Sequence, residues 1–199
     1  MSRSPRTLEP AYFDAIYRAD PDPWKFASSA YEGDKYAVTL AALPRPRYEH
    51  ALEIGCSIGV LTRSLATRCD RLLAVDAASA PLEQARRRCA AAPGVRFARM
   101  HAPAEWPEGE FDLILASEVV YYLSADDVAR LGDRIAGSLA TRGDLVLVHW
   151  TGATDYPLTG DEAAERLIAR LGDEVTVVGQ DRFPDFRLDV LTRRRRSVA

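Results

Sequence analysis

The chain is short of several residue types and patterns. It holds three cysteines among 199 residues, Cys56, Cys69 and Cys89, which cannot all pair and which lack metal-ligand spacing. A disulfide scaffold is therefore not expected, and a reducing compartment is the simplest setting. Its three histidines, His50, His101 and His149, are equally scattered, so no metal site is expected. No apolar run approaches the length of a membrane span, and residues 1–10 lack the apolar core of a signal peptide. A basic surplus is also missing: 26 Lys and Arg face 29 Asp and Glu, a net charge of −3. That balance argues against a nucleic-acid or anionic-membrane partner. The expectation is a soluble, cytoplasmic protein without internal repeats or low-complexity tracts. Its one basic run, Arg193-Arg194-Arg195-Arg196, reads as a solvated tail.

What is present is the composition of an ordinary globular domain, 47% hydrophobic and 28% charged, long enough to bury one substantial core. Residues 1–45 are rich in aromatics. Tyr12, Phe13, Ile16 and Tyr17 share a helical face, Asp20-Pro21-Asp22-Pro23 breaks the chain, and Trp24, Phe26, Tyr31 and Tyr36 follow. Tyr36, Leu40 and Leu43 then resume a helical stripe. This segment is expected to form a helical cap or lid ahead of the main domain, residues 46–199.

From His50 onward strand and helix signals alternate. Strands are expected at His50–Gly55, Arg71–Asp76, Val95–His101, Phe111–Ser117 and Asp144–Trp150. Helices are expected over Ile58–Arg68, around Leu82, Ala85 and Cys89, and after two capping patterns, Ser124-Ala-Asp-Asp127 and Thr159-Gly-Asp-Glu162. Two closing strands, Glu174–Val178 and Phe186–Leu191, have no helix between them, which favours an antiparallel hairpin at one sheet edge. The fold class is α/β, a mostly parallel seven-stranded sheet with helices on both faces.

The junction Glu53-Ile54-Gly55-Cys56-Ser57-Ile58-Gly59 joins the first strand to the first core helix, where such folds bring ligands against bare backbone. As a dinucleotide fingerprint it fails, because Ser57 and Val60 occupy the second and third glycine positions. As a nucleophile elbow it offers Ser57, and the order Ser57, Asp126, His149 matches a hydrolase triad. No glycine-rich oxyanion segment precedes it, however, and Asp76, which closes the next strand, has no role in that scheme. Asp76 instead stands where an acid bonds both hydroxyls of a ribose, a task suited to a carboxylate because it accepts twice.

Four blocks in order, Leu52-Glu53-Ile54-Gly55-Cys56-Ser57-Ile58-Gly59, Val75-Asp76, Phe111 through Leu123, and Arg142 through Val148, resemble the class I methyltransferases. The Glu118-Val119-Val120-Tyr121-Tyr122-Leu123 block, with Asp22-Pro23-Trp24 ahead, is similar to the nodulation protein S-type N-methyltransferases. The resemblance implies a Rossmann-like fold, S-adenosylmethionine as cofactor, and N-methylation of a small-molecule acceptor: an amino-sugar, as on a lipo-chitooligosaccharide, or another small amine. O-methylation of a small secondary-metabolite hydroxyl is the alternative, and a serine hydrolase using Ser57 is a remote one.

The resemblance implies cofactor contacts from Glu53, Gly55, Cys56, Ser57 and Gly59, with Asp76 and Ala77 at the ribose. His101 and Ala102 would lie at the adenine, and Ser117 and Glu118 beyond the fourth strand. Two positions depart from the pattern: Ser57 replaces a glycine, and His101 stands where an Asp commonly meets the adenine amine. Tyr121 and Tyr122 are candidates to face the acceptor. His149, or Asp155 in the loop after it, is the candidate base, since His titrates near neutrality and an ammonium acceptor must shed a proton. Lys35 reads as a surface charge.

Overall fold

A computed structural model describes residues 3 and 5–195. Seven strands form one sheet in the order β3-β2-β1-β4-β5-β7-β6. They are β1 (Tyr48–Ile54), β2 (Cys69–Asp76), β3 (Val95–Arg99), β4 (Phe111–Ser117), β5 (Leu139–Trp150), β6 (Val175–Arg182) and β7 (Phe186–Arg193). The first five run parallel, whereas β7 is antiparallel to both β5 and β6. The expected edge hairpin is thus present. The strand order reverses between β1 and β4, and in open α/β sheets the crevice beyond the carboxyl ends at such a point takes the ligand.

Both faces of the sheet are covered, so the central strands are apolar throughout and alternate between two cores. From β4, Ile114 and Ala116 pack with Leu131 and Leu167 of helices α5 (Ala125–Ser138) and α6 (Gly160–Leu171). Leu113 and Leu115 pack on the other face with Leu61 and Leu65 of α3 (Val60–Leu65). Helix α4 (Ala80–Arg88) contributes Leu82 to a small cluster with Cys56 and Ala74. Before the sheet come α1 (Pro10–Ala19) and α2 (Ala30–Ala41).

Helix starts follow local chemistry. At α6 the capping box is complete: the Thr159 hydroxyl accepts from the Glu162 N–H, and the Glu162 carboxylate accepts from the Thr159 N–H. At α5 only half of it forms. Ser124 Oγ accepts from the Asp127 N–H at 3.2 Å, while the Ser124 N–H goes to Thr7 Oγ1 at 2.8 Å. A residue 117 positions earlier completes the cap, tying the amino-terminal segment to the sheet edge.

Three expectations are corrected. The helix expected over Ile58–Arg68 starts at Val60 and tightens into a 3-10 turn at Ala66, because Gly59 holds a left-handed N-cap conformation (φ 76°). Ile58 therefore belongs to the turn. Strand β3 ends at Arg99, leaving His101 past the strand. The arginine run is not a free tail in its described part: Arg193 ends β7, is 8% exposed and bonds Glu174, while Arg194 pairs with Asp173. Arg196 lies outside the described residues.

Candidate active site

A cleft of about 530 Å³ opens at the carboxyl ends of β1, β2 and β4 and is walled on the far side by α1 and α2. Its floor is the turn after β1. Gly55 sits at φ 78°, and a Cβ there would lie 2.1 Å from Val119 Cγ2, so only glycine fits. The N–H groups of Gly55 and Cys56 both donate to the Val75 carbonyl, at 2.8 and 3.0 Å. Ser57 is also left-handed (φ 50°), a conformation costly for a residue with a Cβ and frequent at ligand sites. Its N–H donates to Asp76 Oδ2 at 2.8 Å, and its hydroxyl pairs with the Tyr17 hydroxyl of α1.

Asp76 holds the next turn as well, its Oδ1 accepting from the Ala78 N–H at 2.9 Å. Burial pushes its carboxyl up to about 6, against the pull of these two backbone donors. Each oxygen retains a free lone-pair site, and the side chain lines the cleft. Glu53, 2% exposed, has an Oε2 atom with no partner, and burial pushes its carboxyl up to about 8.

The opposite wall is a charged cluster. Lys35 of α2 is 2% exposed; its Nζ donates to Glu32 Oε1 at 3.0 Å and to Glu118 Oε1 at 2.6 Å. The surface reading of Lys35 is therefore corrected, since α2 lies across the cleft with this face inward. Glu118, just beyond β4 at φ 57°, accepts with Oε2 from the Tyr121 hydroxyl (2.7 Å) and the Trp150 N–H (2.9 Å). The aromatic residues Tyr17, Trp24 and Phe26 close one end of the cleft, and Tyr121, Tyr122 and Tyr156 line another stretch.

Most of the residues expected at the site converge. Glu53, Gly55, Cys56, Ser57, Asp76, Ala77, His101, Ala102, Ser117, Glu118 and Tyr122 all line the cleft. Three do not. Gly59 faces α4: a Cβ there would lie 2.8 Å from Ala85 Cβ, so its small size serves helix packing. Asp155 is exposed in its loop, outside the cleft wall. His149 is fully buried behind Tyr121, ring centroids 5.5 Å apart, with neither ring nitrogen partnered. Burial lowers its pKa to about 4, so the ring is neutral in ordinary buffers. Ser57 meets a tyrosine hydroxyl where a hydrolase would need a histidine, which removes the triad. Sequence reasoning passed over Tyr17, Glu32, Tyr156 and Asp185 as cleft residues. Only the i,i+3 spacing of Glu32 and Lys35 hinted at one of them.

The donor set fits S-adenosylmethionine. Asp76 suits a diol, the unpartnered Glu53 oxygen suits a hydrogen-bond donor, and an acid-rich wall suits a cationic ligand. The only lysine on the wall is already neutralised twice, so nothing there is built for a phosphate. Among the described residues no cluster of His, Cys, Asp or Glu could hold a metal ion, and no helix is long and apolar enough to cross a membrane.

This sheet order, with its glycine turn after β1 and its acid closing β2, defines the Rossmann-like class I methyltransferases. Within that class the family model for Nodulation protein S (NodS) matches residues 17–146, and the chain belongs to that family. It is 32% identical over 114 residues to a Rhizobium tropici nodulation protein S, covering 57% of this chain and 47% of the relative. The chain thus spans about half the length of two such relatives. A Pseudomonas syringae structure named as a candidate methyltransferase superposes with TM-score 0.73 at 39% identity, covering 83% of this chain and 100% of that one. N-methyltransferase NodS from Bradyrhizobium japonicum WM9, solved with S-adenosylhomocysteine, gives TM-score 0.79 at 23% identity over 94% of this chain and 99% of that one.

Proposed function

We propose that this chain is an S-adenosylmethionine-dependent N-methyltransferase of a small amine, of which an amino-sugar is the leading candidate. One observation carries the reading: among the described residues the carboxyl groups of Glu32, Asp76, Glu118 and Asp185 line the cleft against the single ammonium of Lys35, with Glu53, protonated at neutral pH, as a fifth carboxyl. Such a cavity favours cations over neutral or anionic acceptors. The N-methyltransferase name of the NodS structure supports the same choice.

Asp76 would hold the ribose hydroxyls, the backbone of Gly55 to Ser57 would lie against the methionine portion, and His101 and Ala102 would border the adenine. When bound, the cofactor supplies an electrophilic methyl group on a sulfonium. The chain contributes position: the Glu118 cluster holds the end of β4 rigid, and Tyr17, Trp24 and Phe26 exclude water at one end. The segment before β1 acts as a cap over this cleft. O-methylation with His149 as base finds no support, since that ring does not line the cleft.

The test is to incubate the chain with S-adenosylmethionine and paired acceptors, a glucosamine oligomer and its N-acetylated form. Mass spectrometry should find one added methyl group on the free amine alone. Methylation confined to a hydroxyl, or no calorimetric binding of the cofactor, would overturn the proposal.

A further inference from the structure

The Lys35 cluster is unbalanced. One buried ammonium is shared by two carboxylates, leaving a surplus negative charge in a wall with no second Lys or Arg among the described residues. Glu118 cannot carry that surplus toward a ligand, because its Oε1 takes Lys35 and its Oε2 takes both Tyr121 and Trp150. Glu32 is different. On a side chain 10% exposed that lines the cleft, its Oε1 accepts from Lys35, its Oε2 is buried without a well-formed hydrogen bond, and the Tyr36 hydroxyl lies against the carboxylate. Buried carboxylate oxygens are rarely left so, and one on a side chain that lines a ligand cleft marks a place for a donor to arrive.

Its surroundings suit an acceptor better than the cofactor. Glu32 lies on α2 with Tyr31 and Tyr36, facing the Glu118 end of the cleft. Tyr31 and Trp150, 37% and 39% exposed, stand at the rim with Asp185. The ribose acid, Asp76, belongs to the turn after β2 instead.

We propose that Glu32, through Oε2, receives the cationic nitrogen of the acceptor and takes its proton. This rests on the amine reading above. The ammonium N–H bond breaks toward Oε2; the proton moves to the carboxylate, and its electron pair stays on nitrogen. That lone pair forms the new N–C bond, while the pair of the broken S–C bond remains on sulfur. Burial raises the Glu32 carboxyl above its ordinary range, opposed by Lys35, and Tyr36, Tyr31, Glu118 and Asp185 are the other titratable groups around it. A raised carboxyl is a better proton acceptor than a solvated one.

The experiment compares full-length wild type, Glu32→Gln and Glu32→Asp. Gln keeps an oxygen for Lys35 and the shape of the side chain, and thermal melting checks that it folds. Calorimetry with S-adenosylmethionine should give an unchanged Kd for Glu32→Gln. With S-adenosylhomocysteine present, the glucosamine oligomer should bind the variant at least about tenfold more weakly. Its kcat/KM should fall about 100-fold or more near neutral pH. The deficit should shrink as pH rises toward the amine's own pKa, because a free amine needs no base. Glu32→Asp should recover part of the loss.

An unchanged pH profile and kcat/KM in Glu32→Gln would overturn the assignment while leaving N-methylation standing. So would a weakened cofactor Kd with a deficit equal at every pH, which would give Glu32 to the cofactor or to the fold. A wild-type chain that methylates only the hydroxyl probe would overturn the amine reading, and this assignment with it.

Discussion

The Tyr17 hydroxyl is hydrogen-bonded to the Ser57 hydroxyl, joining helix α1 to the strained turn that floors the cleft. Serine at position 57 is therefore more than a small substitute for glycine. Its side chain ties the turn to α1, while its N–H ties the turn to Asp76. Tyr17→Phe should cost about 1 kcal/mol, since it removes the partner of the half-buried Ser57 hydroxyl. Ser57→Gly loses the same bond but relieves backbone strain, so its net cost should be smaller. Urea titration of both single variants and the double variant should give a coupling energy above about 0.5 kcal/mol. Additive effects would refute the coupling.

Gly55 makes a second, sharper prediction. Gly55→Ala adds a Cβ 2.1 Å from Val119 Cγ2 at a φ of 78°. Strain and overlap together should cost about 2–4 kcal/mol. Adding Val119→Ala should restore part of that loss, because it removes the collision and leaves the dihedral strain. Thermal melts of the three variants separate the two contributions.

The buried titratable groups set the pH dependence of stability, and two of them act in opposite directions. His149 has a folded pKa of about 4 against 6.5 for the free group, so the unfolded chain binds the extra proton first. Stability is then lost as pH falls from about 6.5 to about 4, by on the order of 3 kcal/mol. Glu53 has a folded pKa of about 8 against 4.5, so the folded chain holds its proton longer and stability is lost as pH rises through that window. The two windows overlap between about 4.5 and 6.5, where the slopes oppose each other, so His149→Leu should make stability fall more steeply with rising pH there, and Glu53→Gln should remove the loss between about 4.5 and 8. His149→Leu should also leave the pH profile of methyl transfer unshifted, as expected of a ring off the cleft wall. A profile that moved would return the base role to it.

Lys35 should be indispensable to the fold. Lys35→Met leaves Glu32 and Glu118 buried without their shared cation, and breaking such a cluster costs about 3–5 kcal/mol. Lys35→Met with Glu118→Gln should be less unstable than the single Lys35 variant, because one of the two stranded charges is gone. A denaturant series on the two proteins checks the order.

Much of this protein could be read along the chain. Strand β4 was legible to the residue as Phe111–Ser117, and the α6 capping box formed as its spacing required, because both depend on neighbours a few residues apart. The turn at Gly55 and the acid at Asp76 were legible for the same reason: each follows directly from a strand end. Gly59 shows the limit. The motif placed it at the cofactor, but what it packs against, Ala85, lies on another helix.

Long-range placement decided the rest. Lys35 and Glu118, 83 residues apart, are ordinary charges in the sequence; only the approach of α2 to the end of β4 buries them together. Arg193 became part of the sheet edge, and His149 was withdrawn behind Tyr121, by strand pairing and packing that no local pattern encodes. Hydrophobic period, capping and turn stereochemistry are short-range properties, and they determined the elements, their order and the glycine turn that floors the cleft. Burial and charge pairing belong to surfaces brought together by the fold, and they alone decided which side chains line the cleft.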